Sequence, residues 1–230
     1  MIVKSYETHK INPKHHKYVL FYGKNEGFKS EKILAIFKNL TQKKIQKYDE
    51  KEILNNKEMF LNDLFSKSLF EEEKFIIINR VTDKIFTTIN QIIEKNLDDI
   101  NIILNADTLE KRSKLRQVFE KKKELICVPF YQDNQETLKK ITQNFLREKN
   151  ILISQSNINL IINRCNGDRG ILKTEIEKIE NFSKGGKKIT EESILKLTNL
   201  IENYDISELI DNCLAKNRKK TMQILSENNF

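Results

Sequence analysis

The residues best placed to do chemistry lie in one turn, Gly23-Lys24-Asn25-Glu26-Gly27-Phe28-Lys29-Ser30, directly after the apolar run Tyr18–Tyr22. A phosphate-binding loop has the form GxxxxGK[ST] between a strand and a helix. Its glycines let backbone amides wrap the phosphates, its lysine reaches the terminal oxygens, and its hydroxyl holds Mg²⁺. Gly23, Lys29 and Ser30 match that form, and a strand and a helix are expected on either side. The second glycine is replaced by Phe28, a bulky side chain where the loop must approach a phosphate closely. Gly27 stands one residue early and does not restore the register. Taken alone, the turn reads more simply as an ordinary strand–turn–helix connection that carries a lysine.

Nucleotide hydrolysis also needs a carboxylate at the end of a neighbouring buried strand, to hold Mg²⁺ and position water. The apolar run Phe75–Ile78 ends in Asn79-Arg80, neither of which supplies that acid, and Asp83 lies too far beyond it. Hydrolysis is therefore expected to be absent even if a nucleotide binds. Other catalytic chemistries find no foothold. His9, His15 and His16 all precede the first strand without partners at metal or triad spacing. Cys127, Cys165 and Cys213 are far apart with no CxxC pair, which fits reduced cysteines packed as small hydrophobes. The sequence assigns no catalytic residue, no metal site and no cofactor.

Two further stretches point to binding. In Phe65-Ser66-Lys67-Ser68-Leu69-Phe70, followed by Glu71-Glu72-Glu73, the Leu-Phe pair is either core packing or an exposed wedge for a partner's apolar pocket. Periodicity alone favours the core, because apolar pairs are usually buried. The segment around Lys111, Arg112, Lys114 and Arg116, continued by Lys121-Lys122-Lys123, concentrates positive charge suited to phosphate neutralisation. Glu110, Glu120 and Glu124 dilute that field, and such runs commonly mark a solvated helix face. The chain as a whole carries a net charge of +8, from 41 Lys and Arg against 33 Asp and Glu.

The elements that must position these residues follow from the apolar pattern. Strands are expected at Tyr18–Tyr22, 45–48, Phe75–Ile78, 100–104 and 125–128, the last stopped by Pro129. Helices between them are marked by Ile33, Ile36, Phe37 and Leu40, by residues 57–65, by Ile85 to Ile93, and by 109–122 with Leu115, Val118 and Phe119 inward. Strands without amphipathic alternation imply a parallel sheet covered on both faces. Beyond about Phe130 only helices are expected, at 135–149, 157–165, 170–182, 190–200 and from 205 onward. Gly167 suits a left-handed helix end, Thr190 a cap, and Asp205 with Glu208 a capping box. With 230 residues, 38% hydrophobic and eight Gly and Pro together (6 and 2), the composition suits packed cores. It excludes collagen-like and low-complexity classes. No apolar run approaches the ~20 residues of a membrane span, and the N-terminus lacks the apolar region of a secretory signal. A soluble cytoplasmic protein is expected.

Taken together, several stretches resemble the delta subunit of bacterial DNA polymerase III, the clamp-loader subunit that opens the sliding clamp. They are YVLFYGKNEGF (18–28), SKSLFEEEKFIIINRV (66–81), ADTLEKRSKLRQVFE (106–120), VPFY (128–131) and NGDRGILKTEIEKIENF (166–182), with Leu172, Ile176, Ile179 and Phe182 of the last facing inward. The resemblance implies an α/β, ATPase-like (AAA+-like) domain over residues 1–132 with a degenerate phosphate loop. A helical lid at 133–202 and the start of a helical collar at 203–230 would follow. It implies a subunit that does not hydrolyse ATP, within a DNA-directed DNA polymerase (nucleotidyltransferase) holoenzyme. It makes Leu69 and Phe70, with Ser68 beside them, the wedge that enters the clamp's hydrophobic pocket, which reverses the preference for the core. The implied partners are the sliding clamp (beta subunit), the gamma/tau and delta-prime loader subunits through the collar, and primer–template DNA, with no membrane. The family's collar is longer than the helices that precede Phe230. Two rival readings remain at this stage: a P-loop NTPase with an eroded motif, and a basic nucleic-acid-binding module.

Overall fold

The computed structural model describes residues 1–13, 15–37, 45–66, 73–165, 167–186, 189–198 and 206–228. Five parallel strands, β1 (Tyr18–Tyr22), β2 (Ile45–Asp49), β3 (Lys74–Val81), β4 (Ile100–Ala106) and β5 (Ile126–Pro129), form a sheet in the order β2-β3-β4-β1-β5. The absence of polar alternation has a direct cause. Leu20, Tyr22, Ile76, Ile78, Ile102 and Leu104 pack into the core on one face, and Val19, Phe21, Phe75, Ile77 and Ile103 into the core on the other. A strand buried on both faces needs apolar residues at every position. The N-terminus adds to the β5 edge, where Ile2 bridges Cys127 in parallel and Val3 N–H donates to the Cys127 carbonyl at 2.9 Å. That contact covers an otherwise open sheet edge.

Helices α1 (Glu26–Phe37), α2 (Glu50–Asn55), α3 (Lys57–Phe65), α4 (Phe86–Lys95) and α5 (Lys114–Lys121) connect the strands. Two differ from the sequence reading. α2 was not expected; it is six residues long with one fully buried side chain, Ile53, and it is started by the Glu52 carboxylate accepting from Asp49 N–H at 3.0 Å. α5 was expected to begin near Leu109 but begins at Lys114. Ser113 caps it, its hydroxyl accepting from Arg116 N–H at 3.1 Å. Leu40, part of the periodicity that located α1, lies outside the described residues. β3 runs past Ile78 through a bulge at Asn79/Val81, where Arg80 takes a left-handed φ of 55°.

Residues Met1–Asp133 together with Asp168–Gly170 form one unit, and Asn134–Gly167 with Ile171–Phe230 form the other. The second unit is helical: α6 (Gln135–Glu148), α7 (Gln155–Arg164), α8 (Arg169–Lys184), α9 (Glu191–Leu197), α10 (Ile206–Leu214) and α11 (Arg218–Asn228). Its core gathers Leu138, Leu146, Ile158, Ile161, Ile162, Cys165, Leu172, Ile176, Ile179 and Ile194. Phe182 is only partly buried. Gly167 takes a φ of 75°, and Thr190 caps α9 by accepting from Ser193 N–H at 3.2 Å. The expected capping box at Asp205 lies outside the described residues. Among the described residues no helix is long and apolar enough to cross a membrane.

Candidate functional site

In open parallel sheets ligands bind beyond the carboxyl ends of the strands, and the turn after β1 sits there with the ends of β3 and β4. Gly23 is required by its backbone: φ is 125°, and a Cβ would fall 2.0 Å from the Phe130 carbonyl oxygen. Asn25, fully buried, then caps α1. Its Oδ1 accepts from Phe28 N–H at 3.1 Å, while its Nδ2 donates to the Tyr131 carbonyl at 3.1 Å and to Asp133 Oδ2 at 2.8 Å. Gly27 has a different reason. A Cβ there would lie 1.9 Å from Gly170 N, so this glycine admits the Asp168–Gly170 turn rather than a phosphate.

Phe28 explains itself once its neighbours are seen. It is 7% exposed and packs edge-on against Phe130 at 5.2 Å between ring centroids. The Arg169 guanidinium stacks over the ring, its central carbon 3.6 Å from the centroid. Arg169 is held there by a bidentate pair with Asp133, Nε to Oδ2 at 2.9 Å and Nη2 to Oδ1 at 2.8 Å, with Glu31 at 3.6 Å. A stacked guanidinium that also forms a fork to a carboxylate is geometrically fixed.

Lys29 matches the motif in sequence yet turns inward. It is 1% exposed, donates to the Ala106 carbonyl at 2.6 Å, and pairs with Glu26 Oε2 at 2.7 Å. The second Glu26 oxygen accepts from Asn105 Nδ2 at 2.8 Å, and Asn105 also reaches Asn79 Oδ1 at 3.3 Å. Ser30 lies exposed on α1. The structure thus links Lys29 through Glu26 and Asn105 to Asn79, while Gly23 bonds to the Asp107 carbonyl and Ser30 lies outside the cluster. These residues do not fit a Mg²⁺-nucleotide. The α1 cap is internal, the lysine already has an anion, the strand ends in an amide and an arginine, and Phe28 fills the loop. Among the described residues no group of three His, Cys, Asp or Glu is arranged to hold a metal. Sequence reading missed Asn25, Glu26, Asn105, Asp133 and Arg169. Asn25, three residues before Phe28, carried a capping signal, and Glu26 stands at the i,i+3 spacing of a helical ion pair with Lys29; Asn105, Asp133 and Arg169 join through partners remote in sequence.

Ser68, Leu69 and Phe70 lie outside the described residues. The segments that flank them are firmly anchored. Lys74 Nζ donates to the carbonyls of Asp63 (2.5 Å), Leu64 (3.3 Å) and Ser66 (2.9 Å), closing the end of α3. Lys95 Nζ sits 3.5 Å from the Phe65 ring centroid. A cavity of about 430 Å³ beside α3 is lined by Tyr48, Ile53, Met59 and Phe60 together with the polar Glu52, Asn56 and Asp63. In the basic segment, Lys111, Arg112 and Lys114 are exposed, Arg112 pairing with Glu110 at 2.6 Å. Arg116 is drawn inward, bonded to Glu120 at 2.7 Å and to the Leu109 carbonyl at 2.9 Å, over the Tyr22 ring. Burial pushes the Tyr22 hydroxyl up to about 12.

The chain has an AAA+-like α/β fold, and its turn after β1 is closed on its own residues. Domain III of the Thermotoga maritima replication initiation protein DnaA is similar over 84% of this chain and 88% of its own, with a TM-score of 0.55 and 14% identity. The Thermotoga maritima RuvB Holliday junction branch migration motor matches over 88% and 70%, with a TM-score of 0.55 and 15% identity. The Bacillus subtilis DNA clamp loader delta protein matches over 92% and 67%, with a TM-score of 0.46 and 17% identity. No protein-family model and no curated protein matches the chain.

Proposed function

We propose that this chain is a non-hydrolysing clamp-loader subunit of the delta type, working in the cytoplasm during DNA replication. Its α/β body is a mechanical part. Ser68, Leu69 and Phe70 bind the sliding clamp and hold its interface open while ATP-hydrolysing gamma/tau partners, with delta prime, load it on primed DNA. The segment from residue 203 onward begins the collar that joins those partners, and Lys111, Arg112 and Lys114 face the primer–template. The observation that carries this reading is an intact ATPase-like sheet whose phosphate turn is internally satisfied by Lys29, Glu26 and Asn105. Such a body keeps the shape of a motor without its chemistry. The stretches quoted between residues 18 and 182 supply the particular assignment.

Two buried apolar side chains, each contributing roughly 1.5–3 kcal/mol of desolvation, would carry most of the clamp affinity. Titration calorimetry against a bacterial sliding clamp should give saturable binding for the wild type and none for Leu69→Ala/Phe70→Ala, with unchanged circular dichroism. Equal clamp affinity in the double variant would remove the wedge assignment, and no binding by the folded wild type would remove the clamp-loader reading.

A further inference from the structure

We infer that Glu26 is an internal occupant of the degenerate phosphate turn, its carboxylate standing where an external phosphoanion would meet Lys29. The inference rests on reading this turn as a closed relative of a phosphate-binding loop, and it identifies what closes it. Lys29 Nζ is 99% buried by the 1% exposure of its residue, and a buried ammonium requires a compensating anion. The Ala106 carbonyl at 2.6 Å supplies a dipole only. Glu26 Oε2 at 2.7 Å supplies the charge. The other Glu26 oxygen takes the amide of Asn105 at 2.8 Å, so one carboxylate bridges a cation on α1 and a donor at the end of β4. That is the donor arrangement an oxyanion takes.

Asn105 is 7% exposed, so the amide donor that serves Glu26 is itself withdrawn from water. The Glu26 side chain itself is 57% exposed. It enters the site from the solvent side, from which a free anion would also come. Substituting Glu26 therefore leaves a buried cation and a free amide donor facing an opening. A small oxyanion of the phosphate class would fill them.

The test is thermal unfolding of the full chain with inorganic phosphate, against potassium chloride at matched ionic strength. Wild type should show no phosphate-specific shift. Glu26→Ala should unfold at lower temperature and be rescued by phosphate, by about 3–5 °C for each tenfold increase beyond half-saturation. Glu26→Ala/Lys29→Met, with no cation left to neutralise, should show no rescue. Glu26→Ser, which empties the same space and suits a helix start, serves as the second variant if the alanine chain does not fold. Glu26 variants that respond to phosphate no more than wild type would overturn the inference, as would equal rescue of the double variant. The readout does not involve the clamp, so failure of the clamp-loader reading leaves it intact and distinguishable.

Discussion

At the scale of single residues, the turn after β1 shows how a motif can keep its letters and lose its chemistry. Lys29 is present, but its ammonium faces Glu26 and the Ala106 carbonyl. The Phe28→Gly substitution restores GxxxxGK[ST] in full and so separates sequence likeness from chemical competence. Phe28 is 7% exposed, lies in the core with Phe21 and Phe130, and supports the Arg169 guanidinium at 3.6 Å. Removing a buried ring costs about 3–5 kcal/mol, and glycine within a helix adds about 1 kcal/mol. The expected outcome is a large fall in the urea midpoint with no gain of Mg²⁺-ATP binding by calorimetry. Nucleotide binding is not recovered because Asn25 still caps α1 and Asn79 and Arg80 still end β3. ATP affinity appearing in a folded Phe28→Gly chain would show that the phenylalanine alone closes the site.

At the scale of elements, the start of α5 is set by a residue thirty positions away. Asp83, in the short turn of helix after β3, accepts from the Ser113 hydroxyl at 2.6 Å, from Leu115 N–H at 3.1 Å and from Lys114 N–H at 3.2 Å. A carboxylate at a helix N-terminus satisfies orphan amides and complements the dipole. Asp83→Ala should cost about 1–2 kcal/mol, Ser113→Ala about 1 kcal/mol, and the pair less than their sum, since the two share one cap. Denaturant titrations of the three variants check this, and strict additivity would mean the contacts act separately. The same helix shows what sequence can and cannot tell. The strands were legible because burial on both faces demands contiguous apolar runs such as Phe75–Ile78. The beginning of α5 was not, because the residues before Ser113 are basic enough to extend a helix pattern while the cap arrives from Asp83. α2 was too short for its period to register. The site divides similarly. The mismatches at Phe28 and Asn79 could be read from local motifs, whereas Glu26–Asn105 and Arg169–Asp133 join residues far apart in the chain.

At the scale of the whole molecule, the two units have separate cores, and each holds one buried cysteine. Cys127 lies wholly buried on β5, where burial raises its thiol to about 12 and so keeps it protonated and unreactive. Cys165 is buried in the helical core, its thiol donating to the Ile161 carbonyl at 3.1 Å. Cys213, on α10, is exposed. Near pH 8, iodoacetamide should therefore modify Cys213 alone in the native chain, read by peptide mass spectrometry. In rising urea the two buried thiols become reporters of their own units. The first unit packs a core on each face of its sheet, whereas among the described residues the second gathers one core from α6, α7, α8 and α9 without a sheet. Cys165 should become reactive at lower urea than Cys127, with two separate transitions, because distinct cores need not unfold together. Simultaneous exposure of both thiols would show that the units unfold as one. Native labelling of Cys127 at the rate of Cys213 would contradict the burial of β5 against β1 and the N-terminal residues, which together close that edge of the sheet.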